Sequence, residues 1–354
     1  MAITYHAGRR IQATQADFDG TPAVSGGWVE LARTTLGSAS STITVSSLPD
    51  KRYYKVLTHI PGQASNSDVG MRLNGDSGSN YARRFSTNGG SDISGTVTSL
   101  PWHYTDVAKT DSIFVMGYLT NLSSKEKLSM SHGVRQTGVT AGAPSRFESV
   151  GKWANTSNVI NEIQILGSSN FNSGSEVVVL GWDPADTHTT NFWEELASAN
   201  ATSNELSTGT FTAKKYLWVQ YYLKPTGGTV NGKIRLNNDT GSNYSDRINY
   251  EGGEDTHTSL GFWFGHAAGS GGTTTNANIF CNMFIINNSS NEKLAIQHLV
   301  DTEDGTGAAN APSRSEWVNK WSNTSSQITQ IDIDRDGGTG TYDSTSFIKV
   351  WGSN

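Results

Sequence analysis

The amino-acid sequence predicts an all-β protein made of two tandem homologous jelly-roll-like β-sandwich domains. Three observations carry that expectation. A long internal duplication runs through the chain, its segments are short and rich in aromatic and β-branched residues, and its composition is neutral and turn-rich. Of 354 residues 38 are glycine and 16% are charged, against roughly 25% charged in ordinary soluble domains.

Residues 71–84, MRLNGDSGSNYARR, match residues 234–247, IRLNNDTGSNYSDR, at nine of fourteen positions with an offset of 163. Further on, APSRFESVGKWANTS at 143–157 matches APSRSEWVNKWSNTS at 311–325 at eleven of fifteen, the offset having grown to 168. The matches open at Trp28-Val-Glu-Leu-Ala against Trp193-Glu-Glu-Leu-Ala and close near Trp182 and Trp351. This predicts an N-terminal arm over 1–27, one sandwich over 28–184 and its duplicate over 192–354. Units of about 160 residues are tandem domains, longer than the roughly 20 to 50 residues of a solenoid repeat.

Within each copy the pattern is strand after strand. Ser112-Ile-Phe-Val-Met-Gly-Tyr-Leu, Tyr216-Leu-Trp-Val-Gln-Tyr-Tyr-Leu and Ile279-Phe-Cys-Asn-Met-Phe-Ile-Ile are bounded by turn residues, and β-branched and aromatic side chains fit a pleated, half-buried surface. Leu128, Met130, His132 and Val134 fall on one strand face, repeated by Leu294, Ile296, His298 and Val300. That spacing places both histidines in an apolar core, hydrogen-bonded. Ile160, Ile163 and Ile165, with Ile328, Ile331 and Ile333, break the alternation once, which predicts a bulge within a strand. The shared Arg-Leu-Asn-x-Asp-x-Gly-Ser-Asn-Tyr stretch reads as strand, turn, strand: Leu73 or Leu236 anchors the first strand, Asn and Gly supply the turn, and Tyr81 or Tyr244 resumes the sheet.

Composition excludes several function classes. With 26 basic and 32 acidic residues the net charge is −6, and no long Lys/Arg run exists to attract a phosphate backbone; no nucleic-acid partner is expected. The single cysteine, Cys281, rules out an intrachain disulfide or a Cys-based zinc cluster. No window reaches the roughly 18 apolar residues of a spanning helix, and 1–19 lack the apolar core of a signal peptide. A soluble, non-exported chain without membrane insertion is expected.

The segments Arg72-Leu-Asn-Gly-Asp-Ser-Gly-Ser-Asn-Tyr and Arg235-Leu-Asn-Asn-Asp-Thr-Gly-Ser-Asn-Tyr resemble a recurring motif of structural proteins from tailed phages and related marine viruses. The opening Tyr5-His-Ala-Gly-Arg-Arg-Ile-Gln, followed by Trp28-Val-Glu-Leu-Ala-Arg-Thr-Thr-Leu-Gly-Ser-Ala, is similar to the start of such proteins. The resemblance implies a virion component, synthesised in the host cytoplasm, on the head, tail or fibre.

Chemistry-like motifs fare poorly against the duplication. Gly75-Asp76-Ser77-Gly78 with an upstream His59 is reminiscent of a Ser-His-Asp site, but the second copy reads Asn238-Asp239-Thr240-Gly241 and carries Tyr222 in place of His59. Glu30, Glu126 and Glu148 recur as Glu195, Glu292 and Glu316, scattered instead of forming the compact pair that glycoside hydrolysis needs. The sharpest local signal is Asp332-Ile-Asp334-Arg-Asp336-Gly337 with Asp343 at the twelfth position, a calcium-loop template. Asp332, Asp334, Asp336 and Asp343 are therefore the candidate Ca²⁺ ligands, although the first copy, Gln164-Ile-Leu166-Gly-Ser168, could not bind a cation this way. The competing reading is a hairpin whose outward Asp residues alternate with buried Ile331 and Ile333. Ten tryptophans could anchor cores and interfaces or stack on sugar rings.

The expectation from sequence is thus a virion structural protein without catalytic residues, acting by self-association and by docking on other virion proteins. The alternative is an adhesion module that binds host-surface glycans.

Overall fold

The computed structural model describes residues 24–25, 27–107, 110–138, 141–184, 186–188, 191–228, 230, 232–265, 278–302, 311–335 and 339–354. Among these residues there is no helix, and the ladders are antiparallel throughout. The arm over 1–27 lies almost wholly outside the described residues.

The first half pairs an eight-stranded sheet with a four-stranded one. The larger sheet runs in the order Val29–Thr35, Glu176–Trp182, Tyr53–Ile60, Ile113–Thr120, Lys127–Arg135, Ser145–Trp153, Tyr81–Thr87, Ile93–Val97. The smaller runs Ser40–Ser46, Glu162–Phe171, Ser67–Leu73, Leu100–Val107. The second half repeats both orders: Glu194–Asn200, Phe347–Ser353, Tyr216–Leu223, Ile279–Ile286, Lys293–Asp301, Ser313–Trp321, Tyr244–Tyr250, Thr256–Leu260, and then Glu205–Ser207, Ile331–Arg335, Gly232–Leu236, Trp263–Phe264.

Alternation along each strand fills two cores. Tyr54, Val56, Ile60, Val115 and Leu119 meet Ile43, Val69, Met71, Ile163 and Ile165 in the first; Leu217, Val219, Tyr221, Cys281 and Met283 meet Leu206, Ile234, Leu236, Ile331 and Ile333 in the second. Full burial of each such aliphatic side chain is worth about 1.5–3 kcal/mol.

The repeated motif carries the chain from one sheet to the other, which corrects the reading of Tyr81 as resuming the same sheet. Ser67–Leu73 belongs to the four-stranded sheet and Tyr81–Thr87 to the eight-stranded one. Asn74 and Gly75, at φ of 52° and 67°, make the left-handed turn, and Asn237 and Asn238 do the same at 53° and 57°, a conformation that Asn and Gly tolerate best. Asn74 Oδ1 accepts the N–H groups of Asn161 and Glu162, tying the turn to the neighbouring strand. Trp153 Nε1 donates to Asp76 Oδ2 at 2.7 Å, and Trp321 Nε1 donates to Asp239 Oδ2 at 2.8 Å. Buried Lys127 and Lys293 lie 5.7 Å from the same Trp rings and donate to the carbonyls of Asn155 and Asn323. The duplicated Lys-Trp-x-Asn-Thr-Ser stretch is therefore a fold requirement: it closes one end of each sandwich.

Two further expectations change. No bulge lies between Ile160 and Ile163, because the strand begins at Glu162 and Ile160 is a buried residue before it, held by Asn121 Oδ1 on its N–H. The register irregularity falls later, between Leu166 and Phe171. The face of Leu128, Met130, His132 and Val134 is real but lies outside the sandwich core. Part of it meets the other half in a third cluster, where Leu57, Phe114, Met116, Val134, Val178 and Leu180 pack on Tyr216, Phe284, Ile286, Leu294, Ile296 and Val318. The rest is open: Leu128 is 55% exposed and Met130 59%.

Candidate functional site

Cross-strand register orders the outer face of each eight-stranded sheet into rows. In the first half one end of that face is the row Glu176, His59, Phe114, Val134, followed by Val178, Leu57, Met116, His132. These rows lie beneath the second half. Tyr216 donates its hydroxyl to Glu176 Oε1 at 2.7 Å, and its ring centroid is 6.4 Å from that of Phe114.

Beyond them the face opens to solvent. Trp28, Tyr53, Tyr118, Trp182, Leu128 and Met130 line a depression of about 510 Å³ with an almost wholly apolar surface. Tyr53 stacks on Trp182 at 5.4 Å between centroids, and Trp28 lies 5.9 Å from Tyr118 and 6.4 Å from Trp182. Thr120, on the same wall, already receives the Leu128 N–H on its hydroxyl.

At the inner edge of this depression Lys55 is 2% exposed. Its ammonium sits 3.7 Å from the centroid of the Phe284 ring, 5.3 Å from Trp193 and 5.4 Å from Tyr118. No carboxylate pairs with it among the described residues, and burial pulls its pKa down to about 7. The aromatic faces supply the attraction that an acid would otherwise give.

The seam also holds a polar cluster. Arg146 reaches Asp255 through two hydrogen bonds, Nη2 to Oδ1 at 2.8 Å and Nε to Oδ2 at 3.1 Å, and contacts both Glu148 and Glu316. Desolvation raises the Glu148 pKa, with a shared hydrogen bond to Glu316 next in effect. Beside them His132 and His298 face each other, half-buried; this corrects their expected placement in the sandwich cores. The duplication thus does bring Glu148 and Glu316 together, which their spacing in sequence did not suggest. They do not form a glycosidase pair, because the cavity they line is only about 10 Å³ and no sugar ring fits.

Other candidates are engaged structurally. His59 is buried, contacts Ser112 Oγ at 3.2 Å through Nε2, and has its pKa lowered to about 3 by burial. Ser77 sits on the exposed turn, and Asp76 holds Trp153. Glu126 pairs with Lys152 and Glu292 with Lys320, at 2.9 and 3.3 Å.

The calcium candidates point to separate partners. Asp332 is 2% exposed and accepts hydrogen bonds from Ser207 and Gln330. Asp334 lies 3.7 Å from Arg235, and Asp343 caps the N–H and hydroxyl of Thr345. Asp336 lies outside the described residues. Among the described residues no three His, Cys, Asp or Glu side chains are grouped to hold a metal ion. Asp332 does alternate with the core residues Ile331 and Ile333 onto the outer face, where Ser207 and Gln330 cover it instead of solvent.

Fold and surface together define an all-β sandwich protein with an open aromatic face. No protein family matches the chain, and no curated protein matches it. Among solved structures it is similar to domains LG4-5 of the mouse laminin alpha1 chain, at 12% identity over 92% of this chain and 91% of that one, with a TM-score of 0.20. A likeness at that score carries no argument about function.

Proposed function

We propose that this protein is a non-enzymatic virion structural protein that works by self-association and by docking on other virion proteins. The observation that supports this most is the open aromatic face around Tyr53, Tyr118 and Trp182, because its counterpart in the second half is already a protein interface. Large exposed apolar patches mark interaction surfaces, and a surface this poor in polar groups suits protein side chains better than sugar hydroxyls. The virion setting rests on the resemblance carried by residues 72–81 and 235–244. Quantitative mass spectrometry of purified particles tests it: the chain should be present at a fixed ratio to the major coat protein. Abundance in infected lysate with absence from washed particles would refute the assignment.

A second reading has one specific feature in its favour. The stacked Tyr53 and Trp182 rings could form a platform for a sugar face, as in a glycan-binding adhesion module. Saturable binding on a glycan array, lost on Trp182→Ala, would favour adhesion over a purely architectural role.

A further inference from the structure

A second depression, of about 390 Å³, lies where the four-stranded sheet of the first half meets the strand Tyr81–Thr87 of the larger sheet, and it shares no residue with the aromatic face. Two arginines line it. Arg72 donates from Nε to the Thr98 carbonyl at 3.2 Å. The guanidinium carbon of Arg83 lies 5.1 Å from the centroid of the Phe85 ring and 5.2 Å from that of Tyr104, and its Nε is buried without a hydrogen-bond partner. Among the described residues no carboxylate lies within ion-pair distance of either arginine.

The second half shows what this arrangement lacks. Register equates Arg72 with Arg235, Leu166 with Asp334, Gly70 with Lys233 and Arg83 with Asp246. There Arg235 lies 3.7 Å from Asp334, so the second copy answers its arginine with an acid of its own chain. The first copy has leucine in place of that acid and an arginine in place of Asp246. It also keeps the space clear, since a Cβ at Gly70 would stand 2.9 Å from Ser99 Oγ, whereas a lysine side chain grows from that position in the other half.

We infer that this depression binds a carboxylated sugar, its carboxylate taken by Arg72 and Arg83 in the role that Asp334 plays in the other half. A guanidinium matches a planar carboxylate with two parallel N–H donors. The rest of the wall offers the Ser99 and Ser168 hydroxyls, the Asp68 carboxylate and the Tyr104 ring, groups that suit sugar hydroxyls and a sugar face. Asp68 also sets a negative charge in the wall, which favours a molecule with one charged end over a compact polyanion. The volume falls among small-molecule sites, roughly 300–1,000 Å³. This site goes beyond the docking role proposed above and does not use the Trp182 platform.

The test is calorimetric titration of the full chain with sodium D-glucuronate, with D-glucose and sodium acetate as separate arms. Glucuronate should bind saturably, at least ~10-fold more tightly than either, because glucose lacks the charge-assisted hydrogen bonds and acetate the hydroxyls. Arg83→Gln and Leu166→Asp should each weaken it at least ~10-fold, the second by giving Arg72 the internal carboxylate that the second half carries. Trp182→Ala should leave it unchanged. Circular dichroism and melting temperature verify the folding of each variant, and Leu166→Asp introduces a residue that the same strand position already holds in the other copy. No saturable heat at millimolar glucuronate overturns the inference, as does binding that survives Leu166→Asp. Acetate binding as tightly as glucuronate, or a tetraglutamate peptide binding more tightly, would also overturn the sugar assignment.

Discussion

The imidazole rings of His132 and His298, which occupy equivalent positions in the two repeats, face each other across the seam with centroids 4.5 Å apart. Each lies opposite a glutamate on the next strand, Glu148 and Glu316. Burial lowers both histidines, and His132 falls to about 4, with the charge of His298 a further cause. Between about pH 6.5, where an unfolded histidine titrates, and pH 4, the unfolded chain binds protons that the folded chain does not. Stability therefore falls on acidification through that window. The raised Glu148 acts in the opposite sense, as a folded state that takes up a proton earlier gains stability as pH falls. Four lowered histidines, His59 and His103 included, outweigh the raised Glu148 and Asp246, so melting temperature should drop from pH 6.5 to 4. The double variant His132→Leu, His298→Leu should make that slope shallower without abolishing it, because the buried His59 and His103, lowered to about 3, keep their share; an unchanged slope refutes the assignment.

Arg146 should be the costliest single charge to remove. Its side chain is 5% exposed and that of Asp255 1%, so Arg146→Met leaves a buried carboxylate without its partner. Losing one member of a buried pair costs about 3–5 kcal/mol, measurable by urea denaturation. A loss below about 1 kcal/mol would mean that the group behaves as a solvent-screened surface pair.

Asp76→Ala and Asp239→Ala should cost similar amounts. Each removes the acceptor for a buried tryptophan N–H and for the glycine N–H two residues on. About 1–3 kcal/mol is expected for each stranded buried donor. Calorimetry of both variants checks this, and a marked loss in one with none in the other would show that the two turns do different jobs.

Lys55 makes a second pH prediction. Its folded pKa of about 7 against an unfolded value near 10.4 means that the unfolded chain binds more protons between those limits. Stability should rise with pH from about 7 to 10 and be lowest below 7, where the charged lysine must be held among aromatics. Lys55→Met should remove that rise and stabilise the protein at neutral pH. An unaltered pH profile between 7 and 10 would show that the ammonium is hydrated.

The duplicated text and the two-residue alternation were enough to read an all-β protein with matching strands in both copies, because backbone pairing and side-chain facing are local consequences of residue type. The Lys-Trp-x-Asn-Thr-Ser and Arg-Leu-Asn stretches were legible as structural for the same reason, though their partnership through Trp153 and Asp76 was not. What sequence could not assign is which side of a strand meets water. Leu128 and Leu294, or Phe114 and Phe280, are the same residue in the same pattern, yet one of each pair is buried and the other open. That difference arises only when one sheet is laid on another, since burial belongs to the pair of surfaces and not to either strand. The meeting of Glu148 with Glu316, and of His132 with His298, was decided at that step too, by tertiary packing across 166 or more residues of chain.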